Sequence, residues 1–354
     1  MPVANLTAGL IGFTGSGKTT VFNLLTGQSV TEGTRTNVGV ARVPDQRVDF
    51  LSAMFKPRRT VYAQIQFSDV PGLVPGNRAA AAGFLAGIRD VDLLIYVLRS
   101  FGGDDADPRR DLAALATELL LVDMEVVERR LERIAGGRKA TPETEREKDL
   151  LTRCLAALEQ EKRLDRLDLP REERVLLRNF GFLTDKPVMA VVNLDEAQMP
   201  DLRYPGRGEL SAFAQGEEIP LVELCGRLEM EIGQLPPEDR AAFMADMGLA
   251  ESGIGRVASE AYRRLGLISF FTVGEDEVKA WTITAGTPAV KAAGRIHSDI
   301  ERGFIRAEVY HYDDLNECGS VAAVRDRGRF RLEGREYQVA DGDIINFRFN
   351  VGRK

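Results

Sequence analysis

Apolar residues along the first two hundred positions fall into short runs spaced by longer mixed stretches. Leu6 to Phe13 is short, apolar and β-compatible; Val38 to Val43 alternates; Tyr62 to Phe67 makes a further run that ends at Asp69. Asp92 to Leu98 (DLLIYVL) and Lys186 to Asn193 (KPVMAVVN) are continuously apolar, the mark of strands buried on both faces of a parallel sheet. Strands of this kind separated by helical stretches predict a right-handed α/β sheet. Between the last two runs the period changes to three and four. Leu112, Leu115, Leu119, Val122 and Val126 form one stripe, and Leu120, Met124, Val127, Leu131 and Ile134 a second. Gly136-Gly137 breaks it, and Thr141-Pro142-Glu143 restarts a helix through Leu151, Leu155 and Leu158. The charged outer faces complete an antiparallel helical hairpin packed on itself and inserted into the sheet domain.

From about Ile268 the texture becomes that of short strands: Val278 to Thr284, Phe304 to Tyr312, a hairpin from Arg329 to Val339 around Glu333-Gly334, and Ile345, Phe347 and Phe349 alternating after Asp341-Gly342. The predicted domains are 1–110 with 186–266 (nucleotide-binding), 111–185 (hairpin) and 268–354 (a small α+β module). The composition is ordinary for a soluble globular chain, with 44% hydrophobic and 29% charged residues. No apolar run reaches the length of a transmembrane helix. The opening MPVANLTAGLIGFTG has no basic segment and leads straight into a strand, unlike a signal peptide. Cys154, Cys225 and Cys318 lie far apart with no C-x-x-C, which points to reduced thiols in a cytoplasmic protein without a membrane role. A net charge of −7 argues against broad nucleic-acid binding but leaves room for a local basic face.

Candidate chemistry sits on the strand ends. Gly12-Phe13-Thr14-Gly15-Ser16-Gly17-Lys18-Thr19 satisfies G-x-x-x-x-G-K-[ST] between a strand and a helix that runs from Thr19 to Leu25 and closes at Thr26-Gly27. Its glycines let successive N–H groups turn toward phosphate oxygens, and the helix that Thr20 helps to open adds its positive end. Lys18 is placed to reach the β- and γ-phosphates, and the Thr19 hydroxyl to ligate Mg²⁺. Asp69-Val70-Pro71-Gly72 fits D-x-x-G after a strand: Asp69 for Mg²⁺, the Gly72 N–H for the terminal phosphate. Leu73 stands where many GTPases carry a water-orienting Gln, so intrinsic hydrolysis should be slow; as an alternative it is a packing residue. Asn193-Leu194-Asp195-Glu196 occupies the place of N-K-x-D. Leu194 replaces the Lys over the base, and Glu196 is longer than Asp by one bond, about 1.5 Å. That misfit costs on the order of 1–3 kcal/mol of guanine recognition. Asp195 as reader is the competing alignment.

These elements together resemble the YchF/Obg-like ATPases, GTPase-related proteins biased toward ATP. The resemblance runs through nearly the whole chain. It is most specific in VKAWTITAGTPAVKAAGRIHSDIERGFIRAEVYHYDDL and RLEGREYQVADGDIINFRFNV, which look like that family's TGS domain, a β-grasp fold. Cys225-Gly226-Arg227 takes the place of its S-A-K base loop. The resemblance implies that Asn193, Glu196 and the backbone at Cys225 and Gly226 hold adenine. It assigns Gly12, Thr14, Gly15, Ser16, Gly17, Lys18, Thr19, Asp69 and Gly72 to phosphates and Mg²⁺. Departures are Gly15, where the family has an Asn associated with a monovalent cation, and a shortened first switch (Gln28 to Asn37). There Gly33 stands for the switch threonine, with Thr34 or Thr36 as substitutes. Pro75 to Gly83 lacks the Gly-rich second-switch pattern.

The expected function is a slow Mg²⁺-dependent ATPase acting as a nucleotide-controlled switch on the ribosome or its RNA, the partner being implied by the resemblance. The alternatives are a GTPase and a nucleotide-binding module without turnover. Arg325, Arg327, Arg329, Arg331 and Arg335 form a candidate basic cluster, equally readable as a solvated surface. Trp281 reads as a core anchor, and His297 and His311 as surface residues of the last module.

Overall fold

The computed structural model describes residues 6–350 apart from 32, 34, 74–83, 104–105, 138–140 and 250. The chain divides into two compact units, one made of 7–39 and 67–257, the other of Val40–Gln66 with the chain from Ala258 onward.

The first part of the chain contributes β1 (Thr7–Ile11), β2 (Asn37–Arg42), β4 (Gln64–Asp69), β5 (Leu93–Arg99), β6 (Val188–Asn193) and β7 (Leu221–Leu224). They form a six-stranded sheet in the order β2-β4-β1-β5-β6-β7. β1 pairs parallel with β5, and β5 with β6 from Leu94↔Val188 to Arg99↔Asn193. The continuous apolar runs are buried at every position of β6 and at all of β5 but Arg99, as strands sandwiched between helices must be. Helix α1 (Lys18–Thr26) follows β1, and α2 (Gln46–Phe55) follows β2.

Helices α3 (Pro108–Ala135) and α4 (Pro142–Glu159) form the hairpin, each started by Pro at its first turn behind a capping side chain. Asp107 accepts from the Arg110 N–H at 3.0 Å and Thr141 from the Thr144 N–H at 3.2 Å. The hairpin does not simply pack on itself. Leu112, Leu115 and Leu119 enter the core of the parallel sheet, whereas Leu120 and Val127 pack with Leu150, Leu151, Cys154 and Leu158 in a second core. The two stripes on one long helix thus serve two cores. At the changeover the buried Asp123 accepts from Leu183 N (3.0 Å), Thr184 N (2.7 Å) and Thr184 Oγ1 (2.7 Å), although burial pushes its carboxyl pKa up. Helices α5 (Arg171–Arg178), α6 (Arg207–Gly216), α7 (Gly226–Gln234), α8 (Pro237–Asp246) and α9 (Gly253–Arg264) complete this stretch.

A second six-stranded sheet is built mainly from the end of the chain. β8 (Leu267–Val273) and β9 (Glu277–Thr284) form an antiparallel hairpin, and β12 (Asp343–Phe349) lies between β8 and β10 (Phe304–His311). With β11 (Arg331–Glu333) and β3 (Arg59–Val61) at its two edges, its order is β11-β10-β12-β8-β9-β3. Helix α10 (Ala289–Ile296) buries Ala289, Ala292 and Ala293 against Phe270, Ile283, Val309 and Phe347. This is the β-grasp arrangement. Two details differ from the sequence reading. Residues 329–339 form no hairpin: β11 pairs with β10, and Gln338 makes an isolated bridge to Pro288. The strand expected from Tyr62 also starts two residues later, and a separate short strand precedes it. β3 leaves for this second sheet, pairing parallel with β9 from Arg59↔Glu277 to Val61↔Lys279, and β4 begins only at Gln64.

Candidate nucleotide site

β1 delivers the chain into the loop 12–17, and the next residues open α1. A Cβ on Gly12 would lie 2.6 Å from the Val97 carbonyl oxygen, so only glycine lets the loop rest on β5. Gly17, at φ +85°, is the N-cap of α1, and a Cβ there would run into Asn193 Nδ2. The turn is closed by Ser16 N–H donating to Phe13 O (3.2 Å) and Val21 N–H to Gly17 O (3.0 Å). The early N–H groups of α1, including those of Thr19 and Thr20, are without an earlier turn to accept them, which makes the helix start attractive to anions.

Two side chains from α1 meet one strand end. Lys18 Nζ lies 2.7 Å from Asp69 Oδ1, both groups 4% exposed, and Thr19 Oγ1 donates to Asp69 Oδ2 at 2.9 Å. A buried ammonium and carboxylate this close need each other, since removing either leaves an uncompensated charge. Past Asp69 the chain runs alongside the phosphate loop: Val70 N–H donates to Leu10 O (3.4 Å) and Leu73 N–H to Gly12 O (3.0 Å), with a bridge from Phe13 to Leu73. Gly72 passes so near Thr14 that a Cβ would sit 3.0 Å from its Oγ1. Leu73 itself is buried in the sheet core. The oxygen pair of Thr19 and Asp69 suits Mg²⁺, a hard cation that takes one or two protein oxygens and completes its shell with phosphate and water.

The other end of the site rests on Asn193. Its Nδ2 donates to Ser16 O (3.2 Å) and its Oδ1 accepts from Gly226 N–H (3.0 Å), so one buried amide ties the phosphate loop to the start of α7. Cys225 caps that helix, its Sγ accepting from Leu228 N–H at 3.5 Å, and burial raises its thiol pKa. Leu194 is in the core, not over a ligand surface. Asp195 caps the short 3-10 turn Glu196–Gln198: its Oδ1 accepts from Ala197 N–H (3.2 Å) while Gln198 Oε1 accepts from Asp195 N–H (2.8 Å). Glu196 is partly exposed and ion-paired, its Oε1 2.8 Å from Arg227 Nε. That pair escaped the sequence reading, although an acid and a base at these two loop positions were visible.

The remaining sequence candidates are distributed as follows. Thr36 is exposed ahead of β2 and Gly33 is exposed, while Thr34 and Pro75 to Gly83 lie outside the described residues. The five arginines near the C-terminus are locally engaged. Arg327 pairs with Glu317, Arg329 with Asp314 and Glu317, and Arg331 with Glu333 and Asp343. Arg325 lies over Phe330 and Arg335 over Phe304. Trp281 is partly buried on Phe270 and donates to Thr272 Oγ1 at 2.9 Å. Both histidines cap helices through Nδ1: His297 accepts from Asp299 N–H (3.1 Å) and His311 from Asp313 N–H (3.2 Å).

Strand, glycine loop, helix and D-x-x-G on a parallel sheet define a P-loop nucleotide-binding protein of the GTPase type. A family model described as "50S ribosome-binding GTPase" matches residues 7–130, and the model YchF-GTPase_C, described as "Protein of unknown function (DUF933)", matches residues 267–350. "Ribosome-binding ATPase YchF" of Bacillus subtilis (strain 168) is 37% identical, over 98% of this chain and 100% of its own length. The protein of the same name from Pasteurella multocida is 35% identical over 97% and 99%. The solved structure of the Schizosaccharomyces pombe YchF GTPase superposes with a TM-score of 0.87 at 28% identity, covering 98% of this chain and 99% of that one. The chain belongs to the YchF family.

Proposed function

We propose that this protein binds a nucleoside triphosphate with Mg²⁺, prefers ATP to GTP, hydrolyses it slowly, and uses the bound nucleotide to control association with the ribosome. The convergence of Lys18 and Thr19 on Asp69 beside Gly72 carries the reading. In it, the loop from Gly12 to Gly17 and the start of α1 hold the phosphates through backbone N–H groups. Lys18 exchanges its Asp69 contact for phosphate oxygens, and Gly72 N–H faces the terminal phosphate. Thr19 and Asp69 are the residues to hold Mg²⁺, which when bound supplies charge neutralisation for the phosphate chain. Asn193 positions the base loop, the Cys225–Gly226 backbone meets the base edge, and Glu196, too long for the guanine pattern, relaxes selectivity toward adenine. Relatives carry "ATPase" and "ribosome-binding" in their names, which supports both halves of the proposal. The three-part division into nucleotide, hairpin and C-terminal β-grasp domains belongs to the same proposal.

Leu73 favours a second reading, a nucleotide-gated binding module without turnover, because a buried leucyl side chain cannot hydrogen-bond an attacking water. Competitive binding of ATP and GTP with and without Mg²⁺, followed by single-turnover hydrolysis against Lys18→Ala, decides between them. ATP preference and product above the Lys18→Ala background support the ATPase. Binding without product leaves the module. A clear preference for GTP overturns the role given to Glu196.

A further inference from the structure

Along the second half of α3 lies a cavity of about 460 Å³ that the nucleotide site does not use. Five arginines line it: Arg89, Arg129, Arg130, Arg133 and Arg178. They come from three stretches of chain, namely the segment before β5, the second half of α3 and the last residue of α5. Gathering like charges costs Coulomb energy, and a chain of net charge −7 has no compositional reason to do it. Among the described residues two of the five are ion-paired, Arg129 with Glu125 and Arg130 with Glu147 through Nε at 2.5 Å. Arg89, Arg133 and Arg178 form no ion pair among the described residues and are exposed. Of the acids in the lining, Asp123 is committed to Leu183 and Thr184, which leaves the exposed Asp90.

The rest of the lining is not what a bare anion requires. Phe180 and Phe182 stack at 5.3 Å with an interplanar angle of 18°, and the turn between them is held by Gly181 at φ +64°. Phe182 is buried in the hairpin core, while Phe180 is only partly covered. Arginine forks suit phosphate oxygens bidentately, and a ring beside them suits an unstacked base. The volume fits about one nucleotide and excludes a duplex. A run of carboxylates would leave the apolar wall unused.

We propose that this cavity binds a phosphodiester of single-stranded or looped RNA, with Arg89, Arg133 and Arg178 on phosphate and Phe180 against a base. It rests on the ribosome reading above for its biological setting, but not for its chemistry.

The probe is a fluorescein-labelled uridine oligoribonucleotide of about 12 nucleotides, followed by anisotropy on the whole protein; purified ribosomes provide a parallel co-sedimentation assay. The variant is Arg133→Glu with Arg178→Glu, both exposed, and Arg133→Gln with Arg178→Gln serves if reversal disturbs folding. The expected result is binding weaker by roughly 30-fold and a log–log salt slope smaller by about 1.4, two phosphates at about 0.7 each. ATP affinity should not change. Equal oligonucleotide binding by variant and wild type overturns the site, as does displacement by poly-glutamate at equal charge. Wild-type protein that binds the oligonucleotide but does not sediment with ribosomes removes the ribosome reading and keeps the cavity. Ribosome sedimentation with no difference between variant and wild type in either assay does the reverse.

Discussion

The phosphate end and the base end of the candidate site are built from different materials. At the phosphate end the loop itself is set by backbone: it lies against Val97 O and along Leu73 N–H, Gly12 has no room for a Cβ beside Val97 O, and Gly17 holds a left-handed φ of +85°. At the base end the contacts are side chains on loops, an Asn amide, a Cys cap and the solvent-facing Glu196–Arg227 pair. Backbone geometry tolerates almost no substitution, whereas side chains on loops can be exchanged with modest loss. Triphosphate binding is therefore the fixed property of this architecture, and base choice the adjustable one.

The sharpest way to break that contrast is Gly17→Ala. Its side chain would meet Asn193 Nδ2 in a left-handed backbone, a combined cost of about 3 kcal/mol or more. Urea unfolding should show that loss and nucleotide binding should vanish; near wild-type behaviour in both would mean that the loop is pliant. Next comes Asn193→Ala, which leaves the buried Gly226 N–H without its acceptor, a penalty of about 2 kcal/mol. ATP and GTP should weaken together, because Asn193 organises both ends and selects neither. A smaller effect, about fivefold in the ATP-to-GTP affinity ratio, is expected of Glu196→Asp, with GTP gaining; isothermal titration with both nucleotides measures it. An unchanged ratio would detach Glu196 from base choice and leave it as the partner of Arg227. Cys225→Ser should matter least. A hydroxyl caps a helix better than a thiol, so the melting midpoint should rise by the equivalent of about 0.5 kcal/mol with nucleotide affinity unaltered.

The same division governs how far each part was legible in the sequence. The runs through Leu94–Leu98 and Val188–Val192 became central strands because burial on both faces leaves an unmistakable apolar pattern. The meeting of Lys18, Thr19 and Asp69 followed from motif spacing along adjacent strand ends. What could not be read depends on nonlocal choice. Nothing local tells Arg59–Val61 to join a different sheet from Gln64–Asp69, or Arg331–Glu333 to pair with β10 instead of turning back on itself. Likewise the two α3 stripes showed a period but not that each faced a different core. Asp195 illustrates a third case: two acids were available as base reader, and the helix-capping bond that occupies one of them is a side-chain detail.

The pairing of β3 with β9 also bears on the order in which the molecule can be completed. A fragment beginning at residue 267 would contain the whole C-terminal family match yet leave the edge of β9 bare from Glu277 to Lys279, inviting strand addition from another chain. In synthesis from the N-terminus, the strand that covers this edge is made first and must wait through more than half of the polypeptide for its neighbour. Closing so long a loop is entropically slow. This edge of the second sheet is thus sealed by a strand made more than two hundred residues earlier, and its closure waits until Glu277 to Lys279 have been made.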